Sequence, residues 1–172
     1  NMTIVEDHEG VTGMMRSASQ STQLQTMIAM IDKKIATARA FPRSVARFKE
    51  EASELLREDV ETARSAKYKK PVGSGYVEGP SVRLAEIAAL CWTNIEIKLG
   101  DPVVGDKSVS VVATCWDLQK NTTQDGMASA SIVGKNGRYP QHMIDTTIMA
   151  TAAKARRNAI LNIIPRAFIN DL

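Results

Sequence analysis

An α+β fold is expected for this chain, with helices on either side of a short run of antiparallel strands. Three observations carry that expectation. Apolar residues recur at helical spacing before residue 66 and again after residue 140. Between Ile95 and Val133 the period changes to two. The links between the alternating runs are short and hold Gly, Asp and Asn, the residues of tight turns.

Residues 1–21 are polar and become rich in Ser, Thr and Gln, which predicts a flexible leader. From Thr22, Leu24, Met27, Ile28, Ile31 and Ile35 share one helical face, with Lys33, Lys34 and Arg39 off that stripe. Phe41-Pro42 ends the helix, because proline lacks the N–H and restricts its predecessor. A second helix is expected over 44–65, with Val45, Phe48, Ala52, Leu55 and Leu56 inward. These two amphipathic helices could pack on their own domain or on a neighbouring subunit.

Lys67 to Gly79 reads as loop, punctuated by Pro71, Gly73, Gly75 and Gly79. Pro80 suits a first helical turn, and Val82, Leu84, Ile87, Ala88 and Cys91 form the inward face of a helix ending near Asn94. Three strands follow: Ile95–Leu99, Ser108–Leu118 and Met127–Val133, with turns at 100–106, 121–125 and 134–137. Short links make them an antiparallel meander. A last helix runs from about Gln141 to Ile164, its inner side built from Ile144, Ile148, Ala152, Ala155, Ala159 and Ile163. Pro165 stops it. The expected architecture is thus a three-stranded β-meander packed by a preceding helix and a long C-terminal helix, a β-β-β-α core with two N-terminal arm helices. Its parts are a leader (1–21), a helical oligomerisation arm (22–65) and a core domain (66–172).

At 172 residues and 44% apolar content the chain suits one domain with an appended arm. No window approaches the ~18 apolar residues of a membrane span, and Met2–Gly13 lacks the apolar run of a signal peptide. Two cysteines, Cys91 and Cys115, make neither a disulfide framework nor a metal knuckle, so a reducing cytoplasm is expected. The sequon Asn121-Thr-Thr is then a chance match.

Net charge is only +3, but its placement is informative. Arg138, Lys154, Arg156, Arg157 and Arg166 outweigh Asp145 and Asp171 over the last 35 residues, and Lys67, Lys69 and Lys70 form a second cluster. Clustered cations are what a polyanion site needs, although Lys-rich turns are often merely solvated. Arg156 and Arg157 project about 100° apart, with Lys154 nearby. They are either surface residues paired with carboxylates or one wall of a groove for a sugar–phosphate chain. Tyr68, Tyr76 and Tyr139 stand beside basic residues, where rings could stack on bases.

Catalytic signatures are lacking. Gly100 to Ser108 misses a phosphate-binding loop: its lysine comes one residue late, and a strand follows where a helix N-terminus is required. His8 and His142 have no ligand neighbours at metal spacing. Glu86, Asp117 and Asp125 lack the order of a nuclease metal site. Neither an enzyme nor a resident cofactor or metal is expected.

Several blocks together resemble a known family. Gly75 to Leu99, with Tyr76-Val77-Glu78-Gly79 entering a helix, is similar to the Tyr-Ile-Glu-Gly entry of the Rad-fifty-two annealing domain. The strand end Cys115-Trp-Asp117-Leu-Gln-Lys-Asn121 and the closing Ala155-Arg-Arg-Asn-Ala-Ile-Leu with Ile164-Pro165 resemble phage single-strand annealing proteins of the RecT/Red-beta/Erf/Rad-fifty-two superfamily. Arg156-Arg157 stand where that domain carries a Lys-Arg pair. The resemblance covers about residues 66–168 and departs from the Rad-fifty-two pattern after the second strand.

The resemblance implies a cytoplasmic recombination protein of a bacteriophage, working in the bacterial host cell. It would bind single-stranded DNA and promote ATP-independent annealing through an annealed duplex intermediate, as a homo-oligomeric ring or helical filament. A phage exonuclease or a host single-strand binding protein would be its partner, and no membrane is involved. Arg156 and Arg157, with Lys154, Lys67, Lys69, Lys70, Arg83 and Arg138, are the expected DNA contacts. The alternative is a non-enzymatic phage structural or assembly oligomer that does not bind nucleic acid.

Overall fold

The computed structural model describes residues 8–58 and 60–172, with side chains described from Gln20 onward. Their order is α1 (His8–Ala40), α2 (Val45–Glu58), α3 (Val60–Ser65), β1 (Lys67–Val72), β2 (Gly75–Pro80), α4 (Val82–Trp92), β3 (Ile95–Leu99), β4 (Val103–Val104), β5 (Ser108–Asp117), β6 (Thr122–Ser131), β7 (Val133–Gly134), β8 (Gly137–Arg138), α5 (Gln141–Ile163) and α6 (Arg166–Asn170). The fold is α+β, and the described strand pairs are all antiparallel.

The alternating run from Ser108 sets the centre of the main sheet. β6 pairs along the whole of β5, from Ser108 with Ser131 to Asp117 with Thr122. On the other edge β3 pairs with Ala113–Asp117 and β4 with Val109–Ser110, so that edge is interrupted where Pro102 cannot donate a ladder bond. Strand alternation then sorts the faces: Val109, Val111, Ala113 and Cys115 are buried on one side, while Val112 and Thr114 face outward.

α5 lies on the buried face. Its sheet-facing residues at the centre are Ala155 and Ala159, both fully buried, and the residue beneath them is Gly126 of β6. A Cβ on Gly126 would fall on the helix backbone, against Ala159 N and Ala155 O and 2.7 Å from Ala159 Cα. Only glycine permits so close an approach. Asn158 and Asn162, one turn apart on the same side of α5, donate to the Met127 and Asp125 carbonyls of β6 at 2.8 and 2.9 Å.

A second core joins α2, α4 and the end of α5. Phe48, Ala52 and Leu56 of α2 pack with Leu84, Ala88 and Trp92 of α4 and with Ile160 and Ile164. Trp92 meets Phe48 edge-on at 5.1 Å and Phe168 at 5.6 Å. Ser81 caps α4, its hydroxyl accepting from Leu84 N at 3.1 Å. The cap is thus Ser81, with Pro80 left as the last residue of β2. α2 thus turns Phe48, Ala52 and Leu56 to its own domain, one of the two packings expected for the helices of 22–65. Val45 and Leu55, expected inward, stay 37% and 36% exposed.

Among the residues with described side chains, α1 meets the domain through its last turns, where Lys34 Nζ lies 2.6 Å from Glu96 Oε2. Ala38 is buried, and Asn94 Nδ2 donates to the Ala38 and Phe41 carbonyls at 3.2 and 2.8 Å. Arg43, just past the break at Pro42, forms a bidentate pair with Asp117 at 2.6 and 2.7 Å, both side chains buried. Its guanidinium also lies 4.8 Å from the Trp92 ring centre. Asp117 further accepts from Lys120 N at 3.0 Å. Burial alone would raise the Asp117 carboxyl; the Arg43 and Lys120 hydrogen bonds reverse this and hold it below the usual carboxylate range. The pair clasps the α1–α2 link to the turn after β5. Beside it Thr93 and Asn94 have positive φ, 58° and 50°, where α4 turns sharply into β3.

Other expectations are also revised. The backbone is helical from His8, so the leader expected over 1–21 is helix from that point, with its first seven residues outside those described. The stretch 67–79, expected as loop, belongs to the β1–β2 hairpin. The third strand starts at Thr122 instead of Met127, because the polar Thr-Thr-Gln-Asp run continues the ladder with β5 and the turn is confined to 118–121. No helix among the described residues is long and apolar enough to cross a membrane.

Candidate nucleic-acid interface

The site grows from the outer side of α5. With Ala155 and Ala159 against the sheet, helical geometry turns Lys154, Arg156 and Arg157 in three directions away from it. Arg156 leans toward α4, where its Nη1 is 3.6 Å from Glu86 Oε1, and both side chains remain substantially exposed. Arg157 leans the other way. Its guanidinium lies 5.1 Å from the Tyr68 ring centre and donates to Asn158 Oδ1 at 3.0 and 3.2 Å. Lys154 is exposed.

Tyr68 belongs to β1, and its position is set by β2. A Cβ on Gly79, the cross-strand partner, would come 2.9 Å from the Tyr68 ring. The ring therefore lies against Gly79, where a side chain would displace it, and the Arg157 guanidinium lies over it. Planar guanidinium against an aromatic face is a surface on which a base can also stack.

Two adjoining grooves open at the foot of the hairpin. One, of about 300 Å³, is lined by Tyr68, Arg157, Asn158, Asn162 and Arg166 among others. The second, of about 540 Å³, includes Lys67, Glu78, Gly79, Leu84 and Arg166. Pro80, Arg166, Ile169 and Asn170 line both. The pair of grooves thus combines three cations, an aromatic ring and several amides, with Glu78 as an acidic member. Arg166 was visible as part of the basic C-terminal cluster but not as a site residue; its role comes from the turn at Pro165 that starts α6 beside the hairpin.

The remaining candidates scatter. Lys69 is engaged within the hairpin, 2.8 Å from Glu78 and 5.0 Å from the Tyr76 ring centre, and its ammonium holds the Glu78 carboxyl below the usual range. Lys70 is exposed on the same hairpin. Arg83 lies on the α4 side, sharing a groove with Arg156 and Glu86. Arg138 is elsewhere: Nη1 donates to the Gly105 and Asp106 carbonyls at 3.1 and 2.9 Å, bracing the turn before β5. It sits near the start of α5, roughly 24 Å along the helix from Arg157. The structure therefore does not bring Arg138 to the site.

The carboxylates considered for metal binding are likewise apart. Asp117 is held by Arg43, Asp125 accepts from Thr114 Oγ1 at 2.6 Å, and Glu86 faces Arg156. Among the described residues no three His, Cys, Asp or Glu side chains form a metal-holding cluster. His8 lies outside the residues whose side chains are described. Gly100 and Gly105 donate to Val112 O and Ser108 O just past the ends of β3 and β4, in turns that lead into strands and not into a helix N-terminus. Both cysteines are buried, and burial pushes the Cys115 thiol up to about 11. No family model matches the chain, and no curated protein or solved structure shows a significant likeness to it.

Proposed function

We propose that this protein binds single-stranded DNA and promotes annealing of complementary strands without nucleotide hydrolysis, as a homo-oligomer in a phage-infected cell. The observation that carries this reading is the Arg157–Tyr68 contact in a groove that shares Arg166 with an adjoining groove lined by Lys67. The cations neutralise phosphates, and the ring accepts a base without reading its identity. Lys154 and Lys70 extend the positive surface, while Arg83 and Arg156 share a separate groove on the α4 side. We read β3–β6 with α5 as the β-β-β-α annealing core of the RecT/Red-beta/Erf/Rad-fifty-two superfamily, and α1 as the arm. A backbone held against Arg and Lys leaves base edges outward, and base pairing then supplies the free energy of annealing. The reading therefore includes no catalytic residue, cofactor or metal.

A phage structural oligomer that does not bind nucleic acid is the competing reading. It draws on the cations already engaged within the chain: Lys69 with Glu78, Arg156 with Glu86, Arg138 with two carbonyls. Annealing of two complementary oligonucleotides, one carrying a quencher, separates the two. Acceleration is expected without ATP or Mg²⁺, and reduced in Arg156→Ala/Arg157→Ala. No acceleration over protein-free strands, at low salt, would refute annealing.

A further inference from the structure

β3 is paired on one side only, by β5. Two backbone bonds that flank it fix which of its groups are left over: Leu118 N donates to Asn94 O at 3.0 Å, and Gly100 N to Val112 O at 2.8 Å. Asn94, Glu96, Lys98 and Gly100 therefore face β5, and antiparallel alternation turns the N–H and C=O groups of Ile95, Ile97 and Leu99 to the free edge. The opposite edge of the sheet is covered, since Asn158 and Asn162 of α5 donate to the Met127 and Asp125 carbonyls of β6. Among the described residues no side chain or further strand takes up the free groups of β3. Beside this open edge lies a groove of about 600 Å³ between α2, α4 and β3. Leu55, Ile87 and Leu90 form its apolar floor together with Ile95 and Ile97, and Leu90 is 72% exposed.

We propose that an extended segment of a partner protein, alternating apolar and acidic residues, adds to β3 as an antiparallel strand and lays its apolar side chains in this groove. Unpaired backbone donors and acceptors call for an extended chain, because a helix has already satisfied its own. Residues of the added strand opposite Ile95, Ile97 and Leu99 share their face of the sheet, the Cys115 face that carries α5, and so point to the apolar floor. The groove wall holds Arg83 and Arg156 but also Glu58 and Glu86. A charged side chain entering there would meet both signs, so the inward positions suit uncharged apolar residues. The outer face differs. Glu96 is held by Lys34 at 2.6 Å, whereas Lys98 is exposed and has no ion-pair partner among the described residues. A strand neighbour of Lys98 is therefore best acidic. The free edge of β3 spans about 16 Å, which makes the contact a small and transient one. It does not depend on nucleic-acid binding.

Fluorescence anisotropy of a labelled Gly-Val-Glu-Val-Asp-Val-Gly peptide, titrated with the full chain, tests it. Saturable binding is expected, and N-methylation of the valine amides, which face β3 in an antiparallel register, should weaken it about tenfold or more. Methylating the Glu and Asp amides instead, which face away, should leave it unchanged. Leu90→Glu and Lys98→Glu, both at exposed positions and checked for fold by circular dichroism, should each weaken binding about tenfold. A peptide with Lys in place of both acids should prefer Lys98→Glu over wild type. Absence of binding up to about 1 mM peptide would overturn the proposal. So would binding that survives methylation of the valine amides. Displacement of the peptide by a thymidine oligonucleotide would assign the groove to nucleic acid and overturn it as well. A wild type of doubled mass in light scattering that Leu90→Glu returns to 18.8 kDa would show the edge filled by a second copy, against a peptide partner. Peptide binding by a protein that fails to bind oligonucleotide would leave this site standing and remove the annealing function.

Discussion

Gly126→Ala probes the packing that places the basic helix. The added Cβ would land on the α5 backbone at Ala155 and Ala159, atoms that cannot turn aside as a side chain could. α5 must therefore lift from β6 by about 1 Å or more to reach ordinary van der Waals separation. Overpacking of this kind costs about 1–3 kcal/mol. Lifting also opens gaps around Ala113 and Cys115, and a gap of that size forfeits roughly a quarter to a half of each contact's attraction. Removing a strand glycine returns roughly 0.5–1 kcal/mol. The net expectation is about 2–3 kcal/mol, equivalent to a drop in melting temperature of roughly 5–10 °C for a chain of this size. Thermal unfolding followed by circular dichroism measures it, with Gly105→Ala as control, where the new Cβ meets only Ser108 O at 3.5 Å. A Gly126→Ala protein melting within about 2 °C of wild type would refute the close approach of α5 to the sheet.

Two further predictions address the clasp and the placement of cations. Asp117→Asn leaves the buried Arg43 guanidinium without its counter-charge and should cost about 3–5 kcal/mol in urea unfolding at pH 7. Because the folded Asp117 carboxyl is depressed, its contribution is complete above the unfolded carboxylate pKa of about 4 and lost as pH falls through the folded value. The gap between wild type and Asp117→Asn in urea midpoint should therefore shrink at pH 3. Arg138→Ala should leave oligonucleotide affinity within about twofold of wild type, since Arg138 braces a distant turn, and cost about 1 kcal/mol of stability through the lost carbonyl contacts.

Periodicity made the helices and the central strand legible. Ile95–Leu99, the start of β5 at Ser108 and the span of α5 follow directly from where apolar residues repeat. The β1–β2 hairpin did not announce itself, because almost none of its side chains is buried and its lysines, proline and glycines mimic a loop. Its order comes from cross-strand pairing and from Tyr68 lying on Gly79, neither of which leaves an alternating pattern. The site was half visible. Adjacent arginines on an apolar helix marked Arg156 and Arg157, yet their opposite directions depend on which alanines meet the sheet. Arg138 was grouped with them by sequence distance, and the length of α5 separates it. The Arg43–Asp117 pair links residues 74 apart, beyond the reach of any local pattern.

The salt dependence of single-strand binding tests the groove most directly. Fluorescence anisotropy of a labelled thymidine oligonucleotide, titrated across a range of salt concentrations, should give a linear fall of log affinity with log salt. In Lys67→Ala/Arg157→Ala/Arg166→Ala that slope should be shallower by about 2, from three phosphates at roughly 0.7 each on single-stranded DNA. A triple variant with the wild-type slope and affinity would contradict the assignment of this groove to the nucleotide chain.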